Sequence, residues 1–172
     1  MQQPPTNATA YLSLGSNLGD RAGNLLLAIR GMLDAGLQVT RLSQIYETEP
    51  VETFPQPLFL NMVAELSIEA TTDPEVVMSQ LLQLEQSLGR TRDARKGPRP
   101  IDLDLLLFGN QTRNSQLLIL PHPRFHLRRF VLAPLVELAS QLVHPTLGKT
   151  MNELLEEIED KSDVHVWHLP SG

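Results

Sequence analysis

Apolar positions along the chain alternate between a period of two and a period of three to four, and the changes of period divide it into elements. Ala10-Tyr11-Leu12-Ser13-Leu14 reads as a strand, and the turn Gly15 to Asp20 leads into a helix with the stripe Leu25, Ile29, Met32, followed by Gly36. Val39 to Thr48 predicts a second strand and Leu58 to Ala70 a third, joined by the proline-rich connection Glu49 to Pro57. Asp73-Pro74-Glu75 opens a second helix, with Asp as cap, Pro at the first position and Glu in the first turn. It runs to Leu88 with the stripe Val77, Leu81, Leu84, Leu88, and Gly89 ends it. Ile101 to Phe108 is a fourth strand, Gly109-Asn110 a turn, and Leu117 to Leu120 a short strand leading to Pro121-His122-Pro123. Arg128 to Ala139 reads as helical with Pro134 a point of interruption, Thr150-Met-Asn-Glu153 is a capping box opening an acidic helix, and Val164 to His168 is a late edge strand.

The order β-α-β-β-α-β is that of an α+β, ferredoxin-like core: an antiparallel sheet with helices on one face, here with extra C-terminal helices. Residues 1–8 read as a flexible leader and residues 9–172 as a single domain. At 172 residues one core suffices. The absence of cysteine excludes disulfides, thiolate zinc sites and cysteine nucleophiles. No basic leader precedes an apolar run, and no stretch approaches the roughly 20 apolar residues of a span, so a cytosolic protein without membrane partners is expected. A monomer is the expectation for assembly.

Net charge is −6, which disfavours a general nucleic-acid binder, but the charge is uneven. Arg90, Arg92, Arg95, Lys96, Arg99, Arg113, Arg124, Arg128 and Arg129 face only Asp93, Asp102 and Asp104 in their stretch, whereas the tail from Glu153 to Asp163 is acidic. A basic site on an acidic body suits a small polyanion held with metal ions.

The basic cluster runs straight into paired carboxylates. Asp102 and Asp104 stand two apart on the fourth strand, so they share a face with Cα atoms roughly 6.5 Å apart, and Leu106 and Phe108 are expected to continue that face. Such a pair is open to three readings: a general acid and base, a solvated strand end, or a ligand set for a hard cation. Oxygen-only ligation favours Mg²⁺ or Mn²⁺. Five cations in the adjoining loop favour phosphoryl or pyrophosphoryl transfer, where metal orients the phosphates and guanidinium groups stabilise developing charge. On spacing alone Gly15 to Asp20 is a plain turn, Asn61 a structural hydrogen bonder in the third strand, and Glu85, at the border of its helix stripe, either an exposed salt-bridge partner or a carboxylate that holds a ligand or an arginine. His122, closing a strand near the basic segment, is a better candidate than a lone histidine usually is. The three histidines near or beyond Pro145 show no metal geometry. A ferredoxin-like RNA-binding module is the alternative class, and a magnesium-dependent nuclease a third.

Tyr11-Leu-Ser-Leu-Gly-Ser-Asn-Leu-Gly-Asp-Arg21, Tyr46-Glu-Thr-Glu-Pro50, Phe59-Leu-Asn61, Glu85 with Leu88-Gly-Arg90, Gly97-Pro-Arg-Pro-Ile-Asp-Leu-Asp-Leu-Leu-Leu-Phe-Gly109 and Pro121-His-Pro-Arg-Phe125 resemble the 6-hydroxymethyl-7,8-dihydropterin pyrophosphokinase family of folate synthesis. The resemblance implies transfer of pyrophosphate from ATP to the pterin hydroxymethyl group, releasing AMP, with Asp102 and Asp104 contacting two magnesium ions. It implies transition-state support from Arg90 and Arg99, and a phosphate contact by Arg92. Glu85, His122 and Arg128 would lie on the nucleotide side. Asn61 would bond the pterin edge, Phe59 and Phe130 would sandwich the ring, and Thr48, Pro50 and Val51 would complete its wall. It also implies that the loops Glu49 to Pro57 and Gly89 to Pro98 close after ATP binds. The chain departs from the family pattern at Leu82 (a glutamine there), Lys96 (a tryptophan), Leu117 (an arginine) and in a basic loop one residue shorter, differences that bear on adenine contacts and loop closure and leave the metal and pterin positions intact.

Overall fold

Two long strands with few polar residues form the centre of the sheet. In the computed structural model, which describes residues 6–51, 55–91 and 97–171, β1 (Asn7–Ser16) pairs antiparallel with β4 (Phe59–Glu69) along its whole length, from Asn7 opposite Glu69 to Ser16 opposite Leu60. β5 (Asp102–Phe108) adds to the other edge of β1. Along the free edge of β4 lie β2 (Gln38–Leu42) and then β3 (Tyr46–Thr48), and β8 (Val164–Val166) closes the sheet beyond β3. All these pairings are antiparallel, and α1 (Arg21–Asp34) and α2 (Pro74–Ser87) make the two crossovers, in agreement with the βαββαβ expectation. Among the described residues no helix is long and apolar enough to cross a membrane.

Alternation along β1 and β4 creates two apolar layers. Leu12, Leu14, Met62 and Leu66 face α1 and α2, packing with Leu25, Ala28 and Met32 of the first helix and Val77 and Leu81 of the second. Each such side chain contributes about 1.5–3 kcal/mol on burial. Tyr11, Val63 and Leu106 face the other way, against α3 (Arg129–Ala139), α4 (Met151–Glu157) and Phe125. The C-terminal helices therefore cover the second face of the sheet, but only at one end. At the other end of that face Ser13, Gly15, Asn61, Asp102 and Asp104 line a cavity.

Several expectations are corrected. β1 starts at Asn7, two residues before the expected start of the fold, because Ala70 N–H donates to Thr6 O and keeps the edge paired. The second strand is split at Ser43, whose hydroxyl accepts from Val63 N–H in place of a backbone carbonyl. Phe108 does not share the aspartate face: the pairing of β5 with β1 shifts between Tyr11 and Leu12, and the extra residue turns Phe108 into the α1/α2 layer. The short strand before Pro121 is a separate hairpin, β6 (Arg113–Asn114) with β7 (Ile119–Leu120). Pro134 lies inside α3 without ending it, buried beside Leu132 and Leu135.

Candidate active site

The two aspartates point to one face. In the register of β5 and β1, Asp102 lies opposite Gly15 and Asp104 opposite Ser13, and both carboxylates line the cavity left by α3 and α4. The end of α2 brings Arg90 to them. Gly89 takes φ +94, a conformation an L side chain rarely adopts, and the turn returns Arg90 N–H to Glu85 O at 3.1 Å. The Arg90 guanidinium then reaches forward, donating from Nη1 to Glu85 Oε1 at 2.9 Å and also to Asp102 Oδ1. Arg99 Nε stands 3.6 Å from Asp102 Oδ2.

Glu85 is buried rather than exposed, and it holds an arginine, the second of the two readings its place beside the stripe allowed. The reason is tertiary: its Oε1 also accepts from Leu103 N–H on β5 at 2.7 Å, so the carboxylate joins helix to strand. Burial nonetheless raises its pKa. Asp104 faces the same cavity, half-buried. Its desolvation, with Asp102 and Glu85 adding negative potential, pushes its carboxyl from 3.8 to about 7 against the pull of Arg128 and Arg90. His122 is displaced in the opposite sense, to about 4, by burial and then by the Arg128 charge, so it is neutral at physiological pH. Its Nδ1 accepts from Arg124 N–H at 3.2 Å, which leaves the proton on Nε2, and its own backbone N–H donates to Leu106 O at 2.9 Å.

The cavity beside the aspartates is lined by Thr48, Val51, Phe59, Asn61, Arg99, Arg128 and Phe130 together with Asp102 and Asp104. Asn61 Nδ2 donates to Thr48 Oγ1 at 2.7 Å. A Cβ at position 15 would come within 2.5 Å of Asn61 Oδ1, so glycine there makes room for the amide. Each phenylalanine carries a guanidinium, Arg99 5.3 Å from the Phe59 ring centre and Arg128 5.7 Å from that of Phe130. A second cleft, lined by Met78, Leu82, Glu85, Arg90 and Leu117 among others, lies on the outer side of α2, and a third joins Leu117 to Asp104 and His122. The expected residues thus fall into an aromatic-sided cavity and an adjoining cleft, with Asp104 common to the cavity and the third space. Pro50 is not among the lining residues, although both its neighbours are. Arg92, Arg95 and Lys96, and residues 52–54 of the proline-rich loop, lie outside the described residues.

Sequence reasoning missed three lining residues, Ser13, Gly15 and Glu49. It also missed Asn17. Read as part of a plain turn, Asn17 is buried: its amide donates to Gln56 Oε1 at 3.0 Å and Pro57 O at 3.1 Å, while its Oδ1 accepts from Arg99 N–H at 2.8 Å. One side chain ties the proline-rich loop to the arginine loop. The sequence signal was a polar amide directly after an apolar strand; its partners are too far along the chain for local pattern to reveal.

The family model described as 7,8-dihydro-6-hydroxymethylpterin-pyrophosphokinase (HPPK) matches residues 11–140. The chain belongs to this family. Among HPPK relatives, the 2-amino-4-hydroxy-6-hydroxymethyldihydropteridine pyrophosphokinase of Bacillus subtilis is 41% identical over 167 residues, covering 96% of this chain and 94% of the relative. The folic acid synthesis protein fol1 of Pneumocystis carinii is 41% identical over 154 residues, 90% of this chain but 20% of that longer protein. Among solved structures, wild-type Plasmodium falciparum HPPK-DHPS with pterin and p-hydroxybenzoate superposes with a TM-score of 0.66 at 14% identity, over 91% of this chain and 42% of that one. That likeness speaks to fold. The matched span includes every candidate site residue from Thr48 to Phe130.

Proposed function

We propose that the protein transfers the pyrophosphoryl group of ATP to the hydroxymethyl oxygen of 6-hydroxymethyl-7,8-dihydropterin, releasing AMP, as a step of folate biosynthesis. The observation that carries this reading is the pair Asp102 and Asp104 at the floor of a cavity with Asn61, Phe59 and Phe130 on one side and Arg90, Arg99 and Arg128 around it.

The donor set fits magnesium. Asp102 and Asp104 supply oxygens only, and among the described residues no cluster of three or more His, Cys, Asp and Glu forms a complete protein cage. Magnesium is ordinarily held in this way, by one or two carboxylates with phosphate oxygens and water completing the shell. Bound there, the metal would neutralise and orient the triphosphate. The chain's own residues do the rest. Arg90 and Arg99, already beside Asp102, supply positive charge where the β-phosphorus is attacked. Neutral His122 offers Nε2–H to a phosphate oxygen, with the Arg128 cation near it and Glu85 holding Arg90 at the nucleotide side. Leu82 and Leu117 give the outer cleft an apolar surface against which a purine can lie. On the pterin side Asn61, braced by Thr48, bonds the amide-like edge, and Phe59 and Phe130 flank the ring. Val51 completes the wall.

Incubation with ATP, magnesium and the reduced hydroxymethyl pterin tests the reading by the nucleotide released. AMP in step with pterin consumption is expected; ADP, or no turnover, would refute it.

A further inference from the structure

Ser13 is a polar group in the cavity that the reaction as described does not use. It is 6% exposed, and its chain neighbours Leu12 and Leu14 are fully buried in the opposite layer, so its hydroxyl faces the cavity that the residue lines. On one side it pairs in register with Asp104, on the other with Val63, two residues deeper than Gly15 with its partners Asn61 and Asp102. Several of the other polar groups there have partners: Asn61 bonds Thr48, Asp102 is paired with Arg90 and Arg99, and Glu49 accepts from Asp163 N–H. The Ser13 hydroxyl has none among the described residues. The hydroxyl is open to the cavity rather than sealed inside the protein, so a ligand there can bond it, and an alanine of nearly the same size would remove only that bond. Its partner comes from the cavity side, as water or as a ligand atom.

We propose that Ser13 reads the hydroxymethyl group of the substrate, an inference that rests on the pterin reading above. The ring amide edge lies with Asn61, at the Gly15 level, and the group to be pyrophosphorylated must reach the aspartates. The polar atom that arrives level with Asp104 is the hydroxymethyl oxygen, and Ser13 Oγ, both donor and acceptor, hydrogen-bonds it there. Ser13 is thus a specificity-determining residue: it separates pterins that carry the hydroxyl from those that end in methyl, and it fixes the direction of the oxygen.

The test compares 6-hydroxymethylpterin with 6-methylpterin, both oxidised, unreactive and fluorescent, bound to the full chain with magnesium and a non-hydrolysable ATP analogue. Wild type should favour the hydroxymethyl compound. Ser13→Ala should lower that preference by about two- to tenfold, the worth of one hydrogen bond, leave 6-methylpterin affinity unchanged, and melt no lower than wild type. An undiminished preference in a folded variant overturns the proposal. Failure of wild type to bind either pterin overturns the substrate reading itself, and this inference with it.

Discussion

Asp104 is the residue on which the electrostatics of the site turn. Its folded pKa of about 7 stands above its ordinary 3.8, so between these values the folded protein keeps a proton that the unfolded chain has lost. Stability therefore falls as pH rises across that window, in protein without metal. His122 acts oppositely, since a folded pKa near 4, below the ordinary 6.5, removes stability as pH falls from 6.5. The comparison with a variant isolates the aspartate. Asp104→Asn, without metal, should melt above the parent at pH 8 by about 2–4 °C for each kcal/mol relieved, the gap closing toward pH 4 and narrowing when magnesium is added to the parent. Equal melting at both pH values would contradict the burial argument. Arg90 makes a second test, because it now holds the Asp102 oxygen a metal would take. Arg90→Ala should tighten Mn²⁺ binding to nucleotide-free protein, read by electron paramagnetic resonance, by roughly three- to tenfold, the scale of a half-buried ion pair. The same variant should lose turnover more than ATP affinity. An equal tightening in Arg99→Ala would reduce the effect to net charge.

At the scale of elements, the turn from α2 through Gly89 and the β1–β5 register assemble the site. Period two along β5 was enough to place Asp102 and Asp104 on one face. It could not place Phe108, because a bulge is an event between strands and leaves no mark on one strand's alternation. The cap and stripe of α2 were readable from Asp73 to Leu88, yet the burial of Glu85 depends on Leu103 N–H, eighteen residues further on. Asn17 was opaque for the same reason, with partners 39 to 82 residues away. The resemblance named Asn61 and the two phenylalanines, whereas spacing alone favoured a structural role for Asn61. Gly15 is where strand geometry meets the ligand. Gly15→Ala should push the Asn61 amide aside and cost at least tenfold in pterin affinity, measured by pterin fluorescence, with ATP-analogue binding and the fold kept. Unchanged pterin binding would remove Asn61 from the site.

Across the whole molecule, the distribution of cover leaves the cavity at one end of the second face of the sheet. α1 and α2 close one face, while α3 and α4 close the other only as far as Tyr11, Val63 and Leu106. An RNA-binding sheet would need stacking aromatics on an open face, and this face is packed over the half that β1 and β4 share with the C-terminal helices. The order of strands was legible from periodicity; the side on which the C-terminal helices pack was not, because their amphipathic stripes fit either face. β8 pairs with β3 and ties Glu49 to Asp163, so the tail of the chain braces the wall near Thr48. The account stands on the aspartate pair, and product formation tests it most directly. In a rapid-quench turnover with ATP, magnesium and the reduced pterin, wild type should form AMP, while folded Asp102→Ala and Asp104→Ala proteins should form essentially none. AMP at near the wild-type rate from either variant would contradict the central claim.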